Sequence, residues 1–132
     1  GKPESRVFFS LSNYPDLMPT IAVTCAALGV SAYLRGVENL RLKESDRLEA
    51  VATELSAMGV SVQVLEKEFR IKKSVLKPTR PVRTYGDHRI AMAFAPLKLL
   101  FPDLQIETPD VVSKSFPNFW EQFNAVLSVV CK

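Results

Sequence analysis

The chain has 132 residues, of which 47% are hydrophobic and 23% charged, the proportions of an ordinary globular protein. Its net charge of +3 is too small to indicate a nucleic-acid partner, and no apolar run reaches the roughly 18 residues that a membrane span requires. Two cysteines and one histidine predict free thiols in a reducing cytoplasm, no disulfide framework and no metal site.

Strands and helices alternate along the chain, which excludes an all-α or all-β fold and predicts a mixed α/β (α+β) domain. The first residue is Gly1 and no basic-then-apolar signal segment follows it, so we expect a fragment of a cytoplasmic protein. The pattern predicts strands at 7–9, 30–34, 60–65, 69–71 and 104–106, the third and fourth joined as a hairpin, and helices at 16–28, 43–58, 87–100 and 116–129.

Turn and cap residues place the ends of these helices. Asp16 is predicted to cap the first helix and Gly29 to end it, and this helix is apolar nearly all round, so we expect it to be buried on most sides. Asp87 is predicted to cap the third helix, which Pro96 should kink or shorten. The second helix has an apolar face, with Glu49 and Glu54 off it; the face consists of Leu48, Val51, Ala52, Leu55 and Met58.

An internal echo links two segments thirty residues apart. Residues 27–31 and 57–61 both read as the end of a helix, a glycine and the start of a strand. The echo predicts stacked copies of one α/β unit.

The segment at 39–47 carries several charges at the start of the second helix. Lys43 and Arg47 are predicted to share a helix face there, and two cations at a helix N-terminus oppose the helix dipole. The arrangement is unfavourable unless an anion binds there. A solvated charged face with local ion pairs is the alternative, and the residues alone favour that alternative.

Further candidates for an anion site lie later and earlier in the chain. Arg89 falls in the first turn of the third helix beside His88, the sole histidine, and Lys114 precedes an aromatic helix start. Asp16 is a general-base candidate if it is more than a cap. Each has a structural alternative: a capped surface helix, a surface lysine beside core aromatics, or a simple N-cap. No Walker, GxGxxG or Gly-x-Ser-x-Gly pattern occurs, so the residues do not name a reaction.

Four segments, in order, resemble motifs of the EPSP synthase family. Residues 39–47 (NLRLKESDR) resemble N-x-R-x-K-E-[ST]-D-R, and 87–93 (DHRIAMA) resemble D-H-R-M-A-M. Residues 113–119 (SKSFPNF) resemble K-[ST]-F-P-x-[FY]. Pro-Asp at 15–16, followed by 20–22, resembles the family's P-D helix start. Together they cover nearly the whole chain, so the resemblance is specific.

The resemblance implies the C-terminal part of an enolpyruvyl transferase domain built from repeated βαβαββ units. Residues 1–132 would then be a single domain fragment that supplies one wall of an interdomain active site. The implied reaction transfers the enolpyruvyl group of phosphoenolpyruvate to the 5-hydroxyl of shikimate 3-phosphate and releases phosphate, with no cofactor. The implied partners are these two small substrates and the missing N-terminal part of the same enzyme. The full enzyme is implied to be monomeric and to bind neither nucleic acid nor membrane.

The resemblance also implies roles for individual residues, divided between proton transfer and the two substrates. The catalytic residues are Asp16, as base, and Glu44, for proton transfer. The residues that contact shikimate 3-phosphate are Asp16, Asn39 and Lys43, and those at the phosphoenolpyruvate site are Arg47, His88, Arg89 and Lys114. One departure is Gly86, which stands where many family members have Asn.

Two alternatives remain beside this interpretation. A UDP-N-acetylglucosamine enolpyruvyl transferase would share the fold, but K-E-S-D-R and D-H-R argue against it. A non-catalytic anion-binding module would keep the fold without the reaction. Because family members are about three times as long, we expect the isolated fragment to be inactive.

Overall fold

The structure, a computed structural model, describes residues 6–43, 45–107 and 118–130. The strands are β1 (Arg6–Ser10), β2 (Ser31–Arg35), β3 (Ser61–Val64) and β4 (Glu68–Lys72). The helices are α1 (Met18–Leu28), α2 (Arg47–Ala57), α3 (His88–Phe94) and α4 (Phe119–Val130). Short 3-10 helices occupy Pro15–Leu17, Glu38–Leu42 and Ala95–Leu99.

The strands form one four-stranded sheet in the order β1-β2-β4-β3. Strands β1 and β2 are parallel, with Phe8 opposite Tyr33, and β4 runs antiparallel to both β2 and β3. The element order from 6 to 72 is therefore β-α-β-α-β-β. The predicted mixed α/β fold is confirmed, and this stretch is one complete unit of the kind that the family resemblance implies.

The two faces of the sheet differ in chemistry. On one face Leu34, Phe69 and Ile71 are almost fully buried and pack with α1, α2 and α3 in the apolar core. The other face is polar and aromatic. There the Tyr33 ring lies edge-on to Phe8, with ring centroids 5.1 Å apart, and under the guanidinium of Arg70.

The internal echo corresponds to two matching helix ends. Gly29 and Gly59 have φ of 68° and 87°, the left-handed region that lets a helix stop and turn into a strand. The same backbone hydrogen bond closes each end, from Val30 N to Cys25 O at 2.9 Å and from Val60 N to Leu55 O at 3.0 Å. Both ends belong to one βαβαββ unit, so the echo marks the halves of a unit and not separate stacked copies.

The predicted starts of the first two helices are wrong. Asp16 lies in the 3-10 helix before α1 and does not cap it, since α1 begins at Met18 without a side-chain cap. Helix α2 begins at Arg47 because the Asp46 side chain accepts a hydrogen bond from Glu49 N at 3.1 Å. Lys43 precedes this helix in an extended conformation, so it does not share a helix face with Arg47.

Other sequence predictions meet mixed outcomes. The apolar face of α2 is buried as predicted, but Glu54, predicted to lie off it, is buried too, at 1% exposure. Helix α1 is buried on most sides as predicted, and its exposed positions form a single stripe of Thr20, Thr24 and Leu28, the last 71% exposed. Asp87 caps α3 as predicted, and the helix gives way to a 3-10 helix around Pro96.

Among the described residues, the last predicted strand does not form in full. The strand predicted at 104–106 is a single parallel bridge between Val82 and Ile106.

Cys25 is a buried free thiol whose pKa is raised by burial, whereas Cys131 lies outside the described residues. Among the described helices, none has both the length and the apolar character needed to cross a membrane.

Candidate functional site

Among the described residues, Asp16 and Arg47 of the predicted site meet near the ends of the parallel strands β1 and β2. The chain leaves β1 toward Asp16 and leaves β2 toward the segment 38–43, and Leu11 N ties the two exits together by donating to Arg35 O at 2.8 Å. The carboxyl ends of neighbouring parallel strands lie at one edge of a sheet, where α/β proteins commonly place their ligands. Sequence segments far apart are thereby brought to one place.

Arg47 lies at the centre of this edge and is nearly fully buried. Its Nε and Nη2 donate to Oδ2 and Oδ1 of Asp87 at 2.8 and 3.2 Å, and its Nη1 donates to Oδ1 of Asp16 at 3.0 Å. The guanidinium opens α2, where the helix dipole disfavours a cation. Two carboxylates from other parts of the chain offset that penalty, so the placement of Arg47 does not by itself require a bound anion.

Asp87 has a role that sequence reasoning missed beyond its capping of α3. Its carboxylate is fully buried and accepts hydrogen bonds from Arg47, from the Ser45 hydroxyl at 2.8 Å and from Arg89 N at 2.9 Å. Burial alone would raise the pKa of Asp87, but these bonds and the charge of Arg47 outweigh it and hold the pKa below its ordinary value. Asp87 is therefore a buried carboxylate that holds the Arg47 guanidinium in place.

A second buried carboxylate, Glu54 of α2, was also missed. Its oxygens accept two hydrogen bonds from the Arg80 guanidinium at 2.8 and 2.9 Å, one from Arg83 N at 2.9 Å and one from the Tyr85 hydroxyl at 2.6 Å. Burial alone would raise the pKa of Glu54, yet these donors hold it below its ordinary value. Burial and the bond to Glu54 raise the pKa of Tyr85 to about 12. The signal in the sequence is that Glu54 follows Val51, a residue of the predicted apolar face, by three residues, close to one helical turn.

Arg41 is a further missed residue. Its guanidinium donates to the carbonyl oxygens of Leu65 and Glu66 at 2.7 and 2.9 Å, in the turn between β3 and β4. This cation of the 39–47 segment therefore fastens the segment to the hairpin.

The remaining predicted site residues differ in how the structure places them. Asn39 and Lys43 are exposed on the segment that leads into α2. His88 is half-buried and Arg89 exposed, and both lie in the first turn of α3, directly after Asp87. Glu44 and Lys114 lie outside the described residues.

The arrangement has clear chemical capacities. Asp16 keeps 41% of its side chain exposed while Arg47 holds one of its oxygens, so the carboxylate can still meet a ligand. Exposed Lys43 and Arg89 can bind anionic oxygens. Within the described ranges no group of three or more His, Cys, Asp or Glu side chains is placed to hold a metal ion. Fold and site thus define an α/β protein with cations and a half-exposed carboxylate at the carboxyl edge of two parallel strands.

Comparison with known proteins gives the family. A family model described as EPSP synthase (3-phosphoshikimate 1-carboxyvinyltransferase) matches residues 3–123. The chain belongs to the EPSP synthase family. A 3-phosphoshikimate 1-carboxyvinyltransferase of Bacteroides fragilis is 44% identical over 112 residues, covering 81% of this chain and 27% of that protein. One from Syntrophobacter fumaroxidans is 42% identical over 123 residues, covering 92% of this chain and 29% of that protein.

Solved structures give the same family. An EPSP synthase of Acinetobacter baumannii superposes with a TM-score of 0.65 and 28% sequence identity, over 84% of this chain and 27% of that one. The chain thus spans under a third of the length of the relatives it matches.

Proposed function

We propose that the protein carrying this chain transfers the enolpyruvyl group of phosphoenolpyruvate to the 5-hydroxyl of shikimate 3-phosphate and releases phosphate. The observation that carries the proposal is the contact of Arg47 with Asp16 and Asp87. It joins three of the four family motifs, the P-D, K-E-S-D-R and D-H-R segments, at one edge of the sheet. The remaining motif, around Lys114, lies outside the described residues.

The proposed chemistry needs a base, an acid and cations. Asp16 takes the proton of the 5-hydroxyl as that oxygen attacks C2 of phosphoenolpyruvate, and C3 gains a proton in a transfer in which Glu44 takes part. The tetrahedral adduct then loses phosphate and a C3 proton to give the enol ether. The Asp16 carboxylate is half-exposed while Arg47 bonds one of its oxygens, and this arrangement supports the role of Asp16 as base.

The proposed substrate contacts follow the family motifs. Asn39 and Lys43, both exposed on the segment that leads into α2, are assigned to shikimate 3-phosphate. Arg89 and His88, at the start of α3, are assigned with Lys114 to phosphoenolpyruvate. Arg47 adds positive charge to the phosphoenolpyruvate site while its bonds to Asp16 and Asp87 orient it. We further propose a monomeric cytoplasmic enzyme whose site is completed by residues outside this chain.

The test is phosphate release by the longer protein that carries this chain, with phosphoenolpyruvate and shikimate 3-phosphate. We expect Asp16→Asn to lower kcat by about 100-fold or more, the usual contribution of a general base. Asp103→Asn, which neutralises an exposed carboxylate elsewhere, should leave kcat unchanged. Turnover with UDP-N-acetylglucosamine but not with shikimate 3-phosphate would refute the proposed acceptor.

The isolated chain provides a second arm of the test. With one wall of the site, it should release no phosphate above the uncatalysed background under the same conditions. Turnover by the isolated chain near the rate of the longer protein would show that the remaining residues are not needed.

A further inference from the structure

We propose that Glu54 is a positioning residue for the site, which acts through the loop of residues 80–86. By holding this loop, Glu54 fixes where the loop delivers Asp87, and through Asp87 it fixes Arg47 and the start of α3. The inference rests on the proposed function above for its kinetic consequences, but its structural consequence can be tested without any turnover.

Among the described residues, the hydrogen bonds that the Glu54 carboxylate accepts come from this loop. Its carboxylate, 1% exposed, accepts hydrogen bonds from the side chain of Arg80, the backbone N–H of Arg83 and the hydroxyl of Tyr85. A carboxylate offers about four lone-pair sites, and these four bonds fill them. The loop therefore supplies all the compensation that this buried charge requires.

The last turn of the loop is strained, so the loop needs a contact such as the one with Glu54 to hold it in place. Tyr85 and Gly86 both have positive φ, 57° and 67°, and Asp87 N closes the turn on Thr84 O at 2.9 Å. A left-handed conformation brings the Cβ of a non-glycine residue such as Tyr85 too close to its own backbone and is therefore unfavourable. Such a residue persists only where its surroundings over-determine it. The bond of the Tyr85 hydroxyl to Glu54 supplies that constraint one residue before the glycine and two before Asp87.

Glu54, which holds the loop, lies on the same face of α2 as Arg47 of the site. Glu54 and Arg47 are seven residues apart, close to two helical turns, so they project from the same side of the helix. The loop is thus fastened to α2 at two points, to Glu54 through Arg80 and Tyr85 and to Arg47 through Asp87. If the bonds of Glu54 to Arg80 and Tyr85 are lost, the strained turn is free to move and to shift Asp87.

The substitution that tests this is Glu54→Gln, which keeps the size of the side chain. The amide offers a single acceptor oxygen, and its NH2 faces donors where the second carboxylate oxygen stood. Glu49→Gln is the matched control, because Glu49 lies on the exposed side of α2 and loses the same charge. Tyr85→Phe is a milder variant that removes one of the four bonds and keeps the Glu54–Arg80 pair, should Glu54→Gln fail to fold.

The structural readout is the 1H–15N NMR spectrum of the 132-residue chain. The Arg47 Nε–H and the Arg89 amide both donate to Asp87. We expect Glu54→Gln, and to a lesser extent Tyr85→Phe, to shift both signals and to speed their hydrogen exchange, with no change in Glu49→Gln. If both signals stay unchanged in a folded Glu54→Gln or Tyr85→Phe chain, the positioning role is wrong, whatever the enzyme does.

The kinetic readout separates positioning from lost stability. In the longer protein, below the melting temperature of every variant, we expect Glu54→Gln to raise KM for phosphoenolpyruvate and to lower kcat/KM by about 100-fold, the cost of misplacing catalytic groups by about 1 Å. A fall in kcat that only follows the folded fraction, with KM unchanged, would mean a purely structural role. A wild-type protein without turnover would refute the proposed function and leave the NMR result to decide on Glu54.

Discussion

At the scale of single residues, the buried arginine of the site depends on its carboxylate partner. Asp87 is fully buried and bonds Arg47, which is itself only 3% exposed. Removal of one partner from a buried ion pair leaves the other charge without compensation. Asp16 reaches Arg47 as well, but from a half-exposed position, so it cannot replace Asp87.

This dependence predicts a large loss of stability for Asp87→Asn. The amide keeps the shape of the side chain but leaves Arg47 without its buried counter-charge, so we expect the free energy of unfolding to fall by about 3 kcal/mol or more. Urea unfolding measures it. Asp103→Asn, at an exposed carboxylate, should change the value by less than about 0.5 kcal/mol. Equal losses in the two variants would show that Asp87 is not the counter-charge of Arg47.

The lowered pKa of Glu54 predicts how its contribution varies with pH. A carboxyl whose pKa is lower in the folded than in the unfolded chain stabilises the fold above its unfolded pKa, about 4.3 for Glu. That contribution is lost as the pH falls through the folded value. The gap in unfolding free energy between wild type and Glu54→Gln should therefore be widest near neutral pH and narrow on acidification. A gap independent of pH would contradict the assigned ionisation.

At the scale of elements, two glycines with positive φ lie at opposite ends of β2, Gly29 between α1 and the strand and Gly36 directly after it. Gly29 has open space around the position of a Cβ, whereas a Cβ on Gly36 would lie 2.5 Å from the backbone nitrogen of Ser12. Because Gly36 has no Cβ, the exits of β1 and β2 can approach closely there, just before the segments that carry Asp16 and Asn39.

The difference between these glycines predicts the relative cost of two alanine substitutions. Gly29→Ala should cost about 1 kcal/mol, the penalty of a left-handed alanine. Gly36→Ala should cost more, because the same penalty is joined by a clash with backbone that must move. Thermal or urea unfolding of the two variants gives the comparison. A smaller loss for Gly36→Ala would mean that the exits of the two strands are not held tightly.

The elements also show what the sequence can and cannot predict. Local signals placed the four strands of the sheet, the Asp87 cap and the glycine ends, because spacing and turn residues act within a few positions. The start of α2 was missed, since the Asp46 cap overrides the helical spacing of Lys43 and Arg47. Gly86 departs from the Asn common in the family, yet at a φ of 67° both residues are tolerated.

The centre of the site depends on contacts that no local pattern contains. Arg47 meets carboxylates 31 and 40 residues away, and Glu54 meets donors 26 to 31 residues away. Motif resemblance named Asp16 and Arg47 as site residues, but it did not indicate that they bond each other. The pairing follows from the parallel arrangement of β1 and β2 and from the loop that α2 holds.

At the scale of the whole molecule, the βαβαββ unit and the segment after it share one core. Phe94 of α3 and Leu104 belong to the same buried cluster as Leu34 and Phe69 of the sheet. The bonds of Asp87 and Arg80 to α2 add polar links between the two parts. Nothing in the described contacts divides residues 6–72 from residues 73–107.

This shared core predicts that the two parts unfold together. In native-state hydrogen exchange with increasing urea, the amides of α3 and of the central strands β2 and β4 should converge on one free energy of opening. Within the described residues the outer strands β1 and β3 each have one edge without a neighbouring strand, so their amides should exchange faster at low urea. Convergence of the α3 amides on a lower free energy than those of β2 would show that the segment after β4 opens separately. The site would then be lost before the sheet, because Asp87 leaves Arg47 whenever that segment opens.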